Sequence, residues 1–194
     1  MRSLTTVSAG ASPVTISEFK SFLKIDGTDE DAILQICLDA ATDGIQKYIR
    51  RVLVSAQFDL WLDSFPPENE KNEYRIFGGS EIYLPNPPTL AVSSIKTYNE
   101  SNTESTLSSS FYSVDAENGR VFLNDGYTWP TALRSKKSIK INYTCGYDTA
   151  TPAALKQAVL SYAGQLYNSR CECEMADSVK KILAGYKLYD GLGY

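Results

Sequence analysis

The chain has 194 residues, with 19 basic and 23 acidic side chains, no histidine and a net charge of −4. A hydrophobic share of 43% against 22% charged supports a packed core and excludes global disorder, while the acidic balance argues against a general nucleic-acid binder, which carries a basic stripe. Without histidine a Ser-His-Asp or Cys-His site cannot be built, and the commonest general base and metal ligand is missing.

The opening "MRSLTTVSAGAS" has one basic residue and no apolar run, so it does not read as a secretory signal. No stretch approaches the roughly 20 apolar residues that span a bilayer. The expectation is a protein made in a cytoplasm, without membrane contact, whose Cys37, Cys145, Cys171 and Cys173 stay reduced.

"PVTISEFKSFLKI" predicts a helix from Ile16 to Lys24. Thr15 is placed to cap it, Glu18 completes a capping box, and Val14 and Phe19 are spaced as a hydrophobic staple. A second helix of about six turns is predicted from Thr28 to Val52. Thr28 is its expected cap. Asp29, Glu30 and Asp31 suit the positive end of its dipole, and Arg50 and Arg51 the negative end. Ile33, Ile36, Cys37, Ala40, Ala41, Ile45, Tyr48, Ile49 and Val52 recur at steps of three and four, which predicts the buried stripe. Gly44 costs about 1 kcal/mol in a helix interior, which points to a close helix contact. "KYIRRVLVSAQFDLWLDSF" then changes period from helical to alternating without glycine, proline or a polar loop. Ala56, Phe58, Leu60 and Leu62 fall on one face, and Gln57, Asp59, Trp61 and Asp63 on the other.

Short alternating segments follow: "EIYLP", "VSSIKTYN", "FYSVD", "GRVFLN" and "SIKINYTCGY". Asn118-Gly119 predicts a hairpin turn. Two long polar loops, Pro66–Ser80 and Glu100–Ser110, are candidate contact surfaces. Helix returns at "TPAALKQAVLSYAGQLYNSR", with Thr151 as cap, Pro152 in the first turn, and Leu155, Ala158, Val159, Tyr162, Leu166 and Tyr167 on one face. A last helix is predicted from Ser178 to Tyr189, followed by an aromatic tail with two glycines. The reading is α+β. Helices from both ends of the chain form a bundle, and an antiparallel β unit is inserted between them (αα–β–αα). The whole is one domain, with N-terminal helices in 1–54, the β unit in 55–147, and C-terminal helices and tail in 148–194.

Motifs for chemistry are sparse. Cys171 and Cys173 are too close for an ordinary disulfide and do not have zinc spacing, so all four thiols read as free and inert. "FGGSE" lacks the lysine and the following helix of a phosphate loop. No carboxylates are paired. The expectation is no catalytic residue, no metal and no cofactor. Thirteen tyrosines are the compositional excess, and tyrosine is common at contact and sugar-binding faces.

The ordered series of segments resembles the head–tail connector (adaptor) proteins of tailed phages, along nearly the whole chain. "PVTISEFKSFLKIDGTDEDAIL" is similar to the family's first two helices, and "AATDGIQKYIRRVLVSAQFDLWLDSFP" to its helix-into-strand segment. "IYLPNPPTLAVSSIKTYN", "YSVDAENGRVFLNDGYTWP" and "IKINYTCGY" resemble its strands, and "TPAALKQAVLSYAGQLYNSR" its penultimate helix. The Pro66–Ser80 loop is longer than usual, and Leu166-Tyr167 stand where a tryptophan or histidine is customary. The resemblance implies a structural, non-enzymatic protein of the virion neck, present in the host cytoplasm during assembly. It implies a ring, usually dodecameric, under the portal protein. The ring extends the DNA channel and docks a stopper or tail-completion protein, and DNA passes without sequence-specific binding. Ring contacts are expected from the outer face of the Thr28–Val52 helix and from the β unit. Family habit and the apolar content of "YKLYDGLGY" together make Tyr186, Leu188, Tyr189, Leu192 and Tyr194 the candidate portal-docking residues. Two rivals are a carbohydrate- or receptor-binding module, which needs an exposed aromatic platform, and a cytoplasmic enzyme using Lys, Tyr or Asp.

Overall fold

The computed structural model describes residues 2–8, 10, 12–66, 81–147, 151–169 and 174–188. The fold is α+β with antiparallel sheets and divides into two compact units. One is Gly10–Val54 with Tyr147–Leu188, and the other is Ser55–Gly146 with the strand Arg2–Ser8.

The first unit is helical: α1 (Ile16–Leu23), α2 (Asp31–Ile49), α3 (Ala153–Ser169) and α4 (Asp177–Leu183). Helices from both halves of the sequence share one core, which includes Phe19, Leu34, Ile45, Leu155, Val159 and Leu183. The capping box of α1 forms as expected. Thr15 Oγ1 accepts from Glu18 N–H at 3.2 Å, and Glu18 Oε2 accepts from Thr15 N–H at 2.7 Å. The Thr15 backbone N–H and, at 2.9 Å, the Thr15 hydroxyl both donate to the Glu18 carboxylate and, the backbone donor first, hold it below its ordinary pKa. Val14 and Phe19 are both buried.

α2 departs from expectation in three respects. Thr28 is not its cap. The N-cap is Glu30, which makes no side-chain capping bond; its carboxylate accepts instead from the Tyr167 hydroxyl of α3 at 2.5 Å. The helix stops at Ile49, where Arg50 turns left-handed at φ +57°. And the buried stripe is only partly the expected one: Ala41, Ile45 and Ile49 face the core as expected, and Leu34, Leu38 and Thr42 join them. Ile33 and Ile36, from the expected stripe, are 56% and 67% exposed. Starting the period at residue 33 or 34 changes the face by one residue, about 100°, and apolar side chains populate both faces. Gly44 is explained. A Cβ there would stand 3.0 Å from the Tyr162 ring of α3.

Thr151 likewise does not cap α3. Its hydroxyl donates to Leu53 O at 2.8 Å, and Pro152 O accepts the first helical bonds from Leu155 and Lys156. α4 ends at Leu183, short of the expected Tyr189.

Among the described residues the second unit holds eight strands: β1 (Arg2–Ser8), β2 (Ala56–Leu62), β3 (Glu81–Tyr83), β4 (Thr89–Tyr98), β5 (Glu104–Thr106), β6 (Tyr112–Asp115), β7 (Arg120–Leu123) and β8 (Ile139–Cys145). They make a five-stranded sheet ordered β1-β2-β8-β4-β5 and a three-stranded one ordered β3-β7-β6. The sequence pattern predicts neither β1 nor β5. β1 has almost no burial pattern to betray it, and β5 lies inside a segment that reads as loop. The alternation of β2 holds. Ala56, Phe58 and Leu60 are buried opposite Cys145, Tyr143 and Ile141 of β8. The β6–β7 turn spans residues 116–119 with Gly119 at φ +63°, longer than the two-residue hairpin of the Asn-Gly expectation. Asp115 organises it, accepting from the Asn118 backbone at 3.1 Å, the Asn118 side chain at 2.8 Å and Arg120 at 2.7 Å.

Candidate docking surfaces

On the helical unit, the outer side of α2 carries exposed Ile33, Ile36 and Ala40 with half-buried Cys37 between them. Phe22 of α1 is 43% exposed. A helix apolar on two stripes carries more apolar surface than one core buries. The sequence signal for it is the crowding of apolar residues at 33, 34, 36, 37, 38, 40 and 41.

After α4 the chain is tied back to α2. Arg51 Nε donates to Tyr186 O at 2.7 Å, Leu188 N–H donates to Ile49 O at 3.1 Å, and Lys187 Nζ stands 4.4 Å from the Tyr48 ring centre. The Tyr186 side chain packs on the helical core. Of the residues expected to dock a portal, Tyr186 and Leu188 therefore belong to the bundle's own edge, while Tyr189, Leu192 and Tyr194 lie outside the described residues. The tip of the Pro66–Ser80 loop, residues 67–80, lies outside them as well.

On the β unit, the polar face of β2 and β8 is a ladder. Gln57 donates to Asn142 at 2.7 Å, Asn142 donates to Asp59 at 2.7 Å, and Lys140 pairs with Asp59 at 2.8 Å. Trp61 stacks on Tyr98 with centroids 5.7 Å apart. Arg134 lies 4.4 Å from the Tyr98 ring centre, and Lys137 and Lys140 lie 5.9 and 5.5 Å from that of Trp61. Lys96 and the Tyr98 hydroxyl both bond Glu104 at 2.6 Å, which lowers the Glu104 pKa and raises that of Tyr98. Cations cover these aromatic faces, so they are not the bare platform a sugar needs. Lys96 and Lys140 are paired with the carboxylates of Glu104 and Asp59.

A cavity of about 970 Å³ in this unit is lined by Phe65, Phe111, Trp129, Leu133 and Arg134 among others. Phe65 and Trp129 stack at 4.3 Å. Among the described residues no group of three or more acidic, Cys or His side chains could hold a metal. Burial pushes the Cys145 thiol up to about 12 and raises that of Cys37, which makes both poor nucleophiles. Cys171 and Cys173 lie outside the described residues.

Residues 14–163 match the family described as head completion protein. The chain belongs to that family. As a head completion protein it is a structural component of the head–tail junction. Its fold also matches solved neck structures of gene transfer agent (GTA) particles. One is from the neck of an empty GTA particle computed with C6 symmetry, at TM-score 0.78 and 22% identity, covering 99% of this chain and 98% of that one. Another is from the neck of a native particle computed with C12 symmetry, at TM-score 0.74 and 22% identity, covering 98% of both chains. A third is from the virion of the native particle, at TM-score 0.74 and 21% identity, again covering 98% of both chains. No curated protein matches.

Proposed function

We propose that this head completion protein is the adaptor of a tailed-phage or phage-like neck. In this reading it forms a homo-oligomeric ring under the portal, extends the DNA channel, and offers a platform to a stopper or tail-completion protein. The observation that carries the reading is end-to-end correspondence. A head completion family match and a fold shared over 98–99% of both chains with structures from GTA particle necks support it. The reading is structural and non-enzymatic.

The exposed Ile33–Ile36 side of α2 suits a ring contact, because it leaves apolar side chains outside the helical unit's own core. The test is direct. Purified chain is added to portal-bearing heads that lack neck proteins, and the heads are imaged by electron microscopy. A ring of density at the portal vertex is expected; heads that stay bare, with the chain left in solution, refute the adaptor role.

A further inference from the structure

We infer that successive copies in the ring join by sheet extension, with β1 of one copy pairing along β5 of the next. The inference rests on the ring reading above and deepens it. Among the described residues the five-stranded sheet ends at β1 on one side and β5 on the other, and neither pairs with a further strand. β1 is bound to β2 through residues 2–6 and Ser8, with a register irregularity between Thr6 and Ser8. All its residues but Ser3 are exposed, including Leu4 at 39% and Val7 at 51%. A strand that buries so little of itself contributes little to its own subunit's core.

Sheets normally defend such edges with lysine, proline, or a covering loop or helix. Ser3 to Ser8 contains neither lysine nor proline and no charge at all. β5 is fully exposed, and its one charge, Glu104, is already bonded to Lys96 and Tyr98 within the subunit. Both edges therefore present backbone donors and acceptors flanked by small hydroxyl side chains: Ser3, Thr5 and Thr6 on one side, Ser105 and Thr106 on the other.

The occupant follows from symmetry. A cyclic ring needs two different, complementary patches on each copy. Opposite ends of one sheet supply both, and closure of the ring covers every edge at once. A foreign strand would cover one edge and leave the other bare. Pairing of β1 with its own counterpart would close a dimer and stop.

The test uses the full chain with Cys37, Cys171 and Cys173 changed to serine. Thr5→Cys and Ser105→Cys are introduced singly and together. A short bis-maleimide that tolerates a register slip of two residues, about 7 Å, is applied to the chain assembled on portal-bearing heads, after electron microscopy has scored ring density. The double variant should give a denaturing-gel ladder of dimers, trimers and higher species. Each single variant should stay monomeric, and a mixture of the two singles should stop at dimers. Rings without a ladder overturn sheet extension and leave the ring reading standing. Dimers from Thr5→Cys alone mean β1–β1 pairing and overturn it too, as does a Thr5 link to a different polypeptide. Heads without ring density overturn both readings.

Discussion

Asp115 shows how one side chain can hold a turn that the backbone alone would leave loose. The Asn118 side chain first, then Arg120 and the Asn118 backbone, depress its pKa from 3.8 to about 2. A carboxylate with a depressed folded-state pKa contributes stability that is complete above its unfolded value and is lost as pH falls through the folded one. Asp115→Asn should therefore cost about 1 kcal/mol at neutral pH, a modest figure for a partly exposed hydrogen-bonded ion pair. The gap from the parent should close as pH falls from about 4 to about 2. Urea midpoints across that range check it, and a gap that stays constant with pH would mean the ion pair is not its source. Gly44 is the second residue whose identity has a physical reason. Gly44→Leu drives a branched side chain into the Tyr162 ring, which stands only 3.0 Å from where the first added carbon, the Cβ, would sit. The expected loss is about 1–3 kcal/mol from overpacking, read as a lower urea midpoint. An unchanged midpoint would show that α2 and α3 can separate there without cost.

At the scale of elements, α2 is where sequence reading succeeds and fails together. The helix itself, its neighbour α1 with its capping box, and the alternating β2 and β8 are legible because each buries one face and leaves the other wet. The buried face of α2 is legible only in part: Ala41, Ile45 and Ile49 are buried as read while Ile33 and Ile36 are not, because apolar side chains on neighbouring stripes satisfy the same period and only tertiary contact selects between them. β1 and β5 escape for the opposite reason: exposed on both faces, they carry no alternation to detect. The residues that defeat periodicity are thus the ones with apolar or edge surface left over, and those are the surfaces proposed for assembly. If the outer stripe of α2 is a ring contact, Ile33→Glu with Ile36→Glu should leave the monomer's thermal stability within about 0.5 kcal/mol per site, as expected for exposed positions. The same pair should abolish ring density on portal-bearing heads. Normal rings from this variant would remove α2 from the interface.

For the whole molecule the open question is which end of the chain meets the portal, and the bundle's edge sets where to cut. The bonds from Arg51 to Tyr186 O and from Leu188 N–H to Ile49 O tie the chain to α2 through residue 188, and Tyr186 packs on the core. Truncation after Leu183 would strip these contacts and confuse unfolding with loss of docking. Truncation after Leu188 keeps them and removes Tyr189, Leu192 and Tyr194. Each of those side chains, once buried on a partner, contributes about 1.5–3 kcal/mol. Association carries a cost of comparable size in lost freedom, so one tail alone binds weakly, and many tails presented by one ring bind strongly through effective concentration. The shortened chain should keep its melting temperature yet no longer co-purify with portal-bearing heads. The loss should be steep rather than graded when full-length and shortened chains are mixed, because avidity falls with each missing tail. Shortened chain that co-purifies as well as the parent would move portal docking away from the C-terminus and onto the exposed faces of the two units.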